Sequence, residues 1–251
     1  MKTETKMLGI GMTERNVPKV MDGSKTQTRR IESVLRKIES SKAAKYFDDA
    51  KPVFWRFLWN GNTHDVYPRH QVGDRLYVKE ALEQYNVHKS RPVFAVYKTD
   101  KAHVWTPDRD FRRWQSDTGK PWKNKVIPAR YMPRSAARTF IEITDVRCER
   151  IQDISVEDIK AEGIAIKEGG NCAQCGNVLA LEMSGDNEGV SFLTCGGDPC
   201  LNTITDVDDL ADVYMRSFRL LWNDTNGKDA WERNDWVFAY TFKLIGVERL
   251  N

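Results

Sequence analysis

The chain has 251 residues, of which 40% are hydrophobic and 10% aromatic, including eight Trp, so it can bury a core and is not a candidate for intrinsic disorder. Its net charge of +3 is too small to mark a nucleic-acid binder by itself. No run approaches the roughly 18 apolar residues of a membrane span, and the opening MKTETK lacks the apolar stretch of a secretory signal, so the expectation is a cytoplasmic protein with no membrane contact.

In chain order, the first predicted elements are a short strand around Met7 to Met12 and a helix with Thr13 as N-cap, Gly23 as its stop, and Val17, Val20 and Met21 on one face. Directly after this stop comes Gly23-Ser24-Lys25-Thr26-Gln27-Thr28-Arg29-Arg30, a run with three hydroxyls and three cations. Such a run suits an anionic or polar ligand, and it equally suits a solvated basic turn. Ser33 to Asp49 is predicted as a polar helix and Pro52 to Tyr67 as an aromatic-rich irregular stretch.

Val72-Gly73-Asp74 signals a turn, and Arg75 to Glu80 and Val93 to Lys98 have strand composition. Residues 109 to 138 hold nine Lys/Arg against Asp110 and Asp117, interleaved with Phe111, Trp114, Trp122 and Tyr131. Aromatic faces among cations fit an unpaired strand of nucleic acid, and they also fit ordinary core packing with solvated charges between. A long strand is predicted from Arg138 to Arg150, with its alternation slipping near Asp145, followed by a short helix capped by Ser155 and ended by Gly163.

Composition then shifts abruptly. Residues 169 to 202 are rich in Gly, Asn and Cys with little periodic hydrophobicity, which divides the chain into 1–168, an insert 169–202 and a completing segment 203–251. Within the insert, Cys172-Ala173-Gln174-Cys175 and, after nineteen intervening residues, Cys195-Gly196-Gly197-Asp198-Pro199-Cys200 form two close thiol pairs. Four thiolates with no histidine suit a closed tetrahedral structural Zn²⁺ site, and a reducing compartment disfavours the alternative of two disulfides or free thiols. Cys148 stands alone on a strand and is expected to be a small core thiol.

Leu210, Val213, Tyr214, Ser217, Phe218, Leu221 and Trp222 recur at helical spacing, Asn226-Gly227 marks a turn, and Trp236, Phe238, Tyr240, Phe242 and Leu244 alternate as a half-buried strand does. Short strands with a few helices predict an α+β protein with a mixed, mainly antiparallel β-barrel flanked by helices.

The run around Lys25 resembles the G-x-K-x-x-T-x-R signature of the ASCH-domain family, matched by Gly23, Lys25, Thr28 and Arg30. Gly73-Asp74-Arg75-Leu76-Tyr77-Val78-Lys79-Glu80 is similar to the family's second block. Tyr131-Met132-Pro133-Arg134-Ser135-Ala136-Ala137-Arg138 resembles the M-P-R-x-x-x-R stretch of its phage and prophage branch. Ile143-Thr144-Asp145-Val146-Arg147, Ile151-Gln152-Asp153-Ile154-Ser155, Ala161-Glu162-Gly163, Trp222-Asn223 and the Trp236 to Phe242 strand follow in the same order, so the resemblance spans most of the chain outside 32–68 and the insert.

The resemblance implies a PUA-like fold that binds RNA, single-stranded nucleic acid or a modified nucleobase, with Gly23, Arg29, Arg30, Glu80 and Arg134 as ligand-binding positions. It also implies a competing activity, an amidohydrolase removing the acyl group of N4-acylated cytidine through Lys25, Thr28 and Glu162. There a desolvated lysine would activate the threonine hydroxyl, Glu162 would orient the lysine or shuttle the proton, and Arg30 would polarise the carbonyl. A phage morphogenesis role is a third expectation. The chain is about twice the size of the family's minimal enzymes, and its added parts are basic, aromatic and thiol-rich, which favours binding a polymer over hydrolysing a free nucleoside.

Overall fold

The computed structural model describes residues 7–38, 43–48, 51–85, 94–104, 126–165, 179–183, 191–195 and 210–247. The architecture is α+β, dominated by antiparallel and mixed sheets with few helices, and the chain divides into two compact units. One comprises residues 1–26, 70–146 and 240–251; the other comprises 27–69 and 147–239. Among the described residues every sheet has two ends, so no closed barrel is formed.

In the first unit, β1 (Leu8–Gly11) runs parallel to β6 (Arg75–Lys79), pairing Gly9 with Tyr77 and Gly11 with Lys79. The long strand β10 (Thr139–Arg150) lies antiparallel on the other side of β6, with Phe140 opposite Tyr77 and Ile141 opposite Leu76. Leu76, Tyr77 and Val78 are all buried, so β6 is covered on both faces, as a central strand of β-branched and aromatic residues tolerates well. A second sheet places β7 (Leu82–Tyr85) between β8 (Phe94–Tyr97) and β9 (Val126–Ile127), and its Leu82, Ala95, Tyr97 and Ile127 pack with Met132, Ala136 and Ala137.

The expected first helix forms as α1 (Asn16–Met21). Its N-cap is Arg15 rather than the expected Thr13 and has no side-chain cap bond; Thr13 contributes only its carbonyl, which accepts from the N–H groups of Asn16 and Val17, while Val17 and Val20 are buried. Gly23 closes it at φ +81°, a left-handed conformation that a side chain disfavours.

In the second unit, β3 (Ala43–Asp48), β4 (Lys51–Trp59) and β5 (Asn62–Val66) form an antiparallel meander. The sequence reading differs here twice. Ser33 to Asp49 is not one helix, since among the described residues Leu35–Lys37 make a 3-10 turn and Ala43–Asp48 form β3, and Pro52 to Tyr67 is not irregular but two paired strands. Non-local pairing overrides weak local propensity in both places. Asn60 and Gly61 both take positive φ between Trp59 and Asn62, the two-residue hairpin link that matches the right-handed twist of its strands.

The core of this unit joins Ile151, Ile154 and Ile159 with Tyr214, Phe218 and Trp222, which recur every four residues along α3 (Leu210–Asn226). Burying each such side chain contributes about 1.5–3 kcal/mol relative to leaving it in water. α2 (Val156–Ala161) begins at Ser155, whose hydroxyl accepts from the Asp158 N–H at 3.2 Å, and is ended by Gly163 at φ +85°, as the sequence predicts. In β13 (Trp236–Val247) the expected half-buried alternation does not hold at the start. Trp236 and Phe238 meet Phe57 and Trp55 on one face while Val237 enters the isoleucine cluster on the other, so both faces are apolar.

Candidate functional site

The motif after α1 crosses from one unit to the other, with Gly23 and Lys25 in the first and Thr28, Arg29 and Arg30 in the second. Gly23 is exposed at the turn, whereas Lys25 is only 2% exposed and its N–H donates to the Lys19 carbonyl at 2.8 Å. A buried ammonium is costly unless paired, so its burial marks Lys25 as more than a solvated surface charge. β2 (Gln27–Arg30) carries the rest, with Thr28 and Arg29 buried and Arg30 half-buried at the strand end.

Arg29 is the centre of a charge network within the second unit. Its side chain has no exposed surface. Its Nε donates to Glu149 Oε1 at 2.8 Å, Nη2 to Asp158 Oδ2 at 2.9 Å, and Nη1 to Glu162 Oε1 at 3.2 Å and Gln27 Oε1 at 3.3 Å. Arg147 adds a second cation through Nη2 to the same Asp158 oxygen at 2.8 Å.

The local reason is simple. Asp158 and Glu162 stand four residues apart, on and just after α2, and therefore share a face, while Arg147 and Glu149 alternate along β10 onto the same side of the strand. Burial pushes the Asp158 carboxyl up, but hydrogen bonds from Arg147 and Gln27 and the charges of Arg29 and Arg147 outweigh it and hold the group below the usual aspartate range. The structure thus brings Arg29 and Glu162 together, with Arg29 closing a network of protein carboxylates.

A second buried network lies in the first unit. Glu80, fully buried at the end of β6, receives a fork from Arg138, whose remaining Nη1 donates to Asp100 Oδ2 at 2.6 Å. The Arg138 guanidinium carbon sits 3.7 Å from the Tyr97 ring centroid, and the Tyr97 hydroxyl donates to the Ala136 carbonyl at 2.8 Å. Sequence reasoning singled out Glu80 but assigned its partner no role. Arg138 ends the M-P-R-x-x-x-R stretch, 58 residues away in the chain, and no local pattern links the two.

The third feature is a cationic, aromatic surface on the first unit. Arg134, exposed in the 3-10 turn Arg134–Ala136, follows an earlier 3-10 turn, Ala129–Tyr131, that projects Arg130 and Tyr131 outward. The Arg130 guanidinium carbon lies 4.9 Å from the Tyr131 ring centroid, and Lys79 Nζ donates to the Arg130 carbonyl at 3.2 Å. Lys79 also lies 5.7 Å from the Tyr77 ring centroid. Burial pushes the Tyr77 hydroxyl up while the charge of Arg134 draws it back. Among the described residues none of Lys79, Arg130 and Arg134 pairs with a carboxylate, whereas Arg29, Arg56, Arg75, Lys98, Arg138 and Arg147 all do.

Of the four expected zinc ligands, Cys172, Cys175 and Cys200 lie outside the described residues, as does the aromatic stretch from Phe111 to Trp122. The backbone of Cys195 is described. It ends β12 (Ser191–Cys195), which pairs antiparallel with β11 (Leu179–Met183), bringing Cys195 opposite Leu179. Cys148 is half-buried on β10, and burial together with the neighbouring Glu149 charge pushes its thiol well above the usual range, which disfavours the thiolate. Among the described residues no helix is long and apolar enough to cross a membrane, and no group of three or more acidic, His or Cys side chains is arranged to hold a metal.

No protein-family model, no curated protein and no solved structure matches this chain. The motif residues alone carry the resemblance to the ASCH family.

Proposed function

We propose that this chain is a nucleic-acid or modified-nucleobase binding protein of the ASCH type, of the phage and prophage branch, with a PUA-like α+β fold and a structural zinc knuckle in its insert. The single observation that carries the binding reading is the set of cations Lys79, Arg130 and Arg134 on one surface of the first unit without a carboxylate partner among the described residues. Cations left unpaired by the protein gain most from an anionic polymer, since each phosphate they neutralise releases condensed counterions. The knuckle rests on the sequence spacing of its four thiols, two close pairs with no histidine between them, which suits a closed tetrahedral Zn²⁺ site.

The test is equilibrium binding of the full chain to a labelled 20-nucleotide RNA between 50 and 300 mM salt. Affinity falling linearly in log–log form, with a slope of about −2 to −3 for three cations, is the expected result. Absence of binding at the lowest salt would remove the proposal. Release of acetate from N4-acetylcytidine, lost in Lys25→Ala and Thr28→Ala, would turn it to the amidohydrolase.

A further inference from the structure

We infer that Tyr131 is a stacking platform for one unpaired base of a single-stranded nucleic acid, with Arg134 and Lys79 taking the adjoining phosphates. The inference rests on the nucleic-acid reading above and narrows it to a polymer state and to named contacts.

Tyr131 is 57% exposed, so its ring is open to a flat partner. It is also held firmly. The turn that carries it is bracketed by Pro128 and Pro133, and the Tyr131 and Met132 N–H groups donate to the Pro128 and Ala129 carbonyls, each at 3.0 Å. The next residue, Met132, is 2% exposed and its Sδ accepts from the Glu80 N–H at 3.0 Å, so the chain re-enters the core immediately after the ring. Arg130 lies over the ring and restricts it further. A ring ordered in advance loses little entropy when a flat partner stacks on it.

The chemistry of the neighbours selects that partner. A nucleobase has a π-face, and its flanking phosphates are negative, which is what Arg134 and Lys79 lack within the described structure. In a duplex each base face is already covered by its neighbours, so the tyrosine would meet only edges and backbone unless a base were unstacked at a cost of a few kcal/mol. A free nucleoside would satisfy the ring but not the cations.

The experiment compares, for the full chain, fluorescence anisotropy with a labelled 12-nucleotide single strand, the same strand annealed to its complement, and the same strand with abasic positions, in both RNA and DNA. Tyr131→Ala is expected to weaken single-strand binding about tenfold, a value within the range for removing one stacked base, with Tyr131→Phe near the parent. Arg134→Gln is expected to reduce the salt slope by about one. The duplex and the abasic strand are expected to bind the parent at least several-fold more weakly.

If the parent binds strands with the expected salt dependence and Tyr131→Ala binds equally well, stacking is overturned while the broader reading stands. If the parent binds no nucleic acid, both fall. Displacement of the strand by poly-glutamate at matched charge would overturn base stacking in favour of an acidic polypeptide partner. Tyr131 lies on the surface, and the Phe variant separates ring from hydroxyl without disturbing the fold.

Discussion

Arg138 and Glu80 meet fork to fork inside the first unit, Nε to Oε1 at 2.9 Å and Nη2 to Oε2 at 2.7 Å, at the point where the backbone N–H of Glu80 also holds the sulfur of Met132. A buried pair of this kind matters more for what its loss leaves behind than for its own net worth. Glu80→Ala would leave the Arg138 guanidinium with the partly exposed Asp100 as its remaining carboxylate partner among the described residues, and the expected cost is at most about 3–5 kcal/mol. Urea unfolding measures it. Arg138→Lys is also expected to destabilise, because an ammonium cannot reproduce the two parallel bonds. A loss below about 1 kcal/mol for Glu80→Ala would show that the pair is not structurally important.

Acid should weaken both units through their depressed aspartates. Burial pushes Asp100 up, but hydrogen bonds from Arg138 and from the Ala102 N–H, with the Arg138 charge, outweigh it and leave the group low; Asp158 is held low in the same way. Because the folded-state values lie below the unfolded ones, the stability these groups contribute is present in full above the ordinary aspartate pKa of about 3.9 and is lost as pH falls below it. Denaturant midpoints between pH 7 and pH 2.5 should therefore drop at the acid end. Arg29→Gln and Arg147→Gln should each lower stability at neutral pH and flatten that drop. An acid limb unchanged by either substitution would count against the network.

About one zinc per chain is expected in protein purified without chelator, held by Cys172, Cys175, Cys195 and Cys200 and measured by plasma mass spectrometry. Chelation should expose four thiols to alkylation at pH 8, with Cys148 reacting far more slowly than any of them, since its thiol is pushed well up. Metal-free protein whose four thiols alkylate at once would refute the knuckle.

Gly9 tests the cationic surface from beneath. A Cβ there would come within 2.6 Å of the Tyr77 ring and would collide with the Lys79 side chain as well. Gly9→Ala must therefore displace the Tyr77 ring and the Lys79 side chain. The expected result is a few-fold loss of single-strand affinity with a shallower salt dependence and about 1–3 kcal/mol lost in stability, read by anisotropy and urea unfolding. Unchanged affinity and slope would mean that Lys79 takes no part in binding.

Local signals in the sequence were sufficient for several features. Gly23 after α1, Ser155 and Gly163 around α2, and the four-residue recurrence of Tyr214, Phe218 and Trp222 each act within a turn or two of chain, so residue type alone specifies them. The slip in β10 is of the same kind, visible as buried Ile141 and Ile143 followed by buried Val146. Asn60-Gly61 carried an equally local hairpin signal, hidden by the aromatic density on both sides.

The sequence by itself determined where the helices stop, the long strand and the positions of the motif residues, because those follow from short-range sterics and hydrogen bonding. Only the tertiary structure decided that Arg29 closes on Glu149, Asp158 and Glu162, more than a hundred residues away, that Glu80 meets Arg138, and that Lys25 is buried rather than solvated. Charge pairing and burial depend on which distant strands become neighbours, and no period along the chain records that choice.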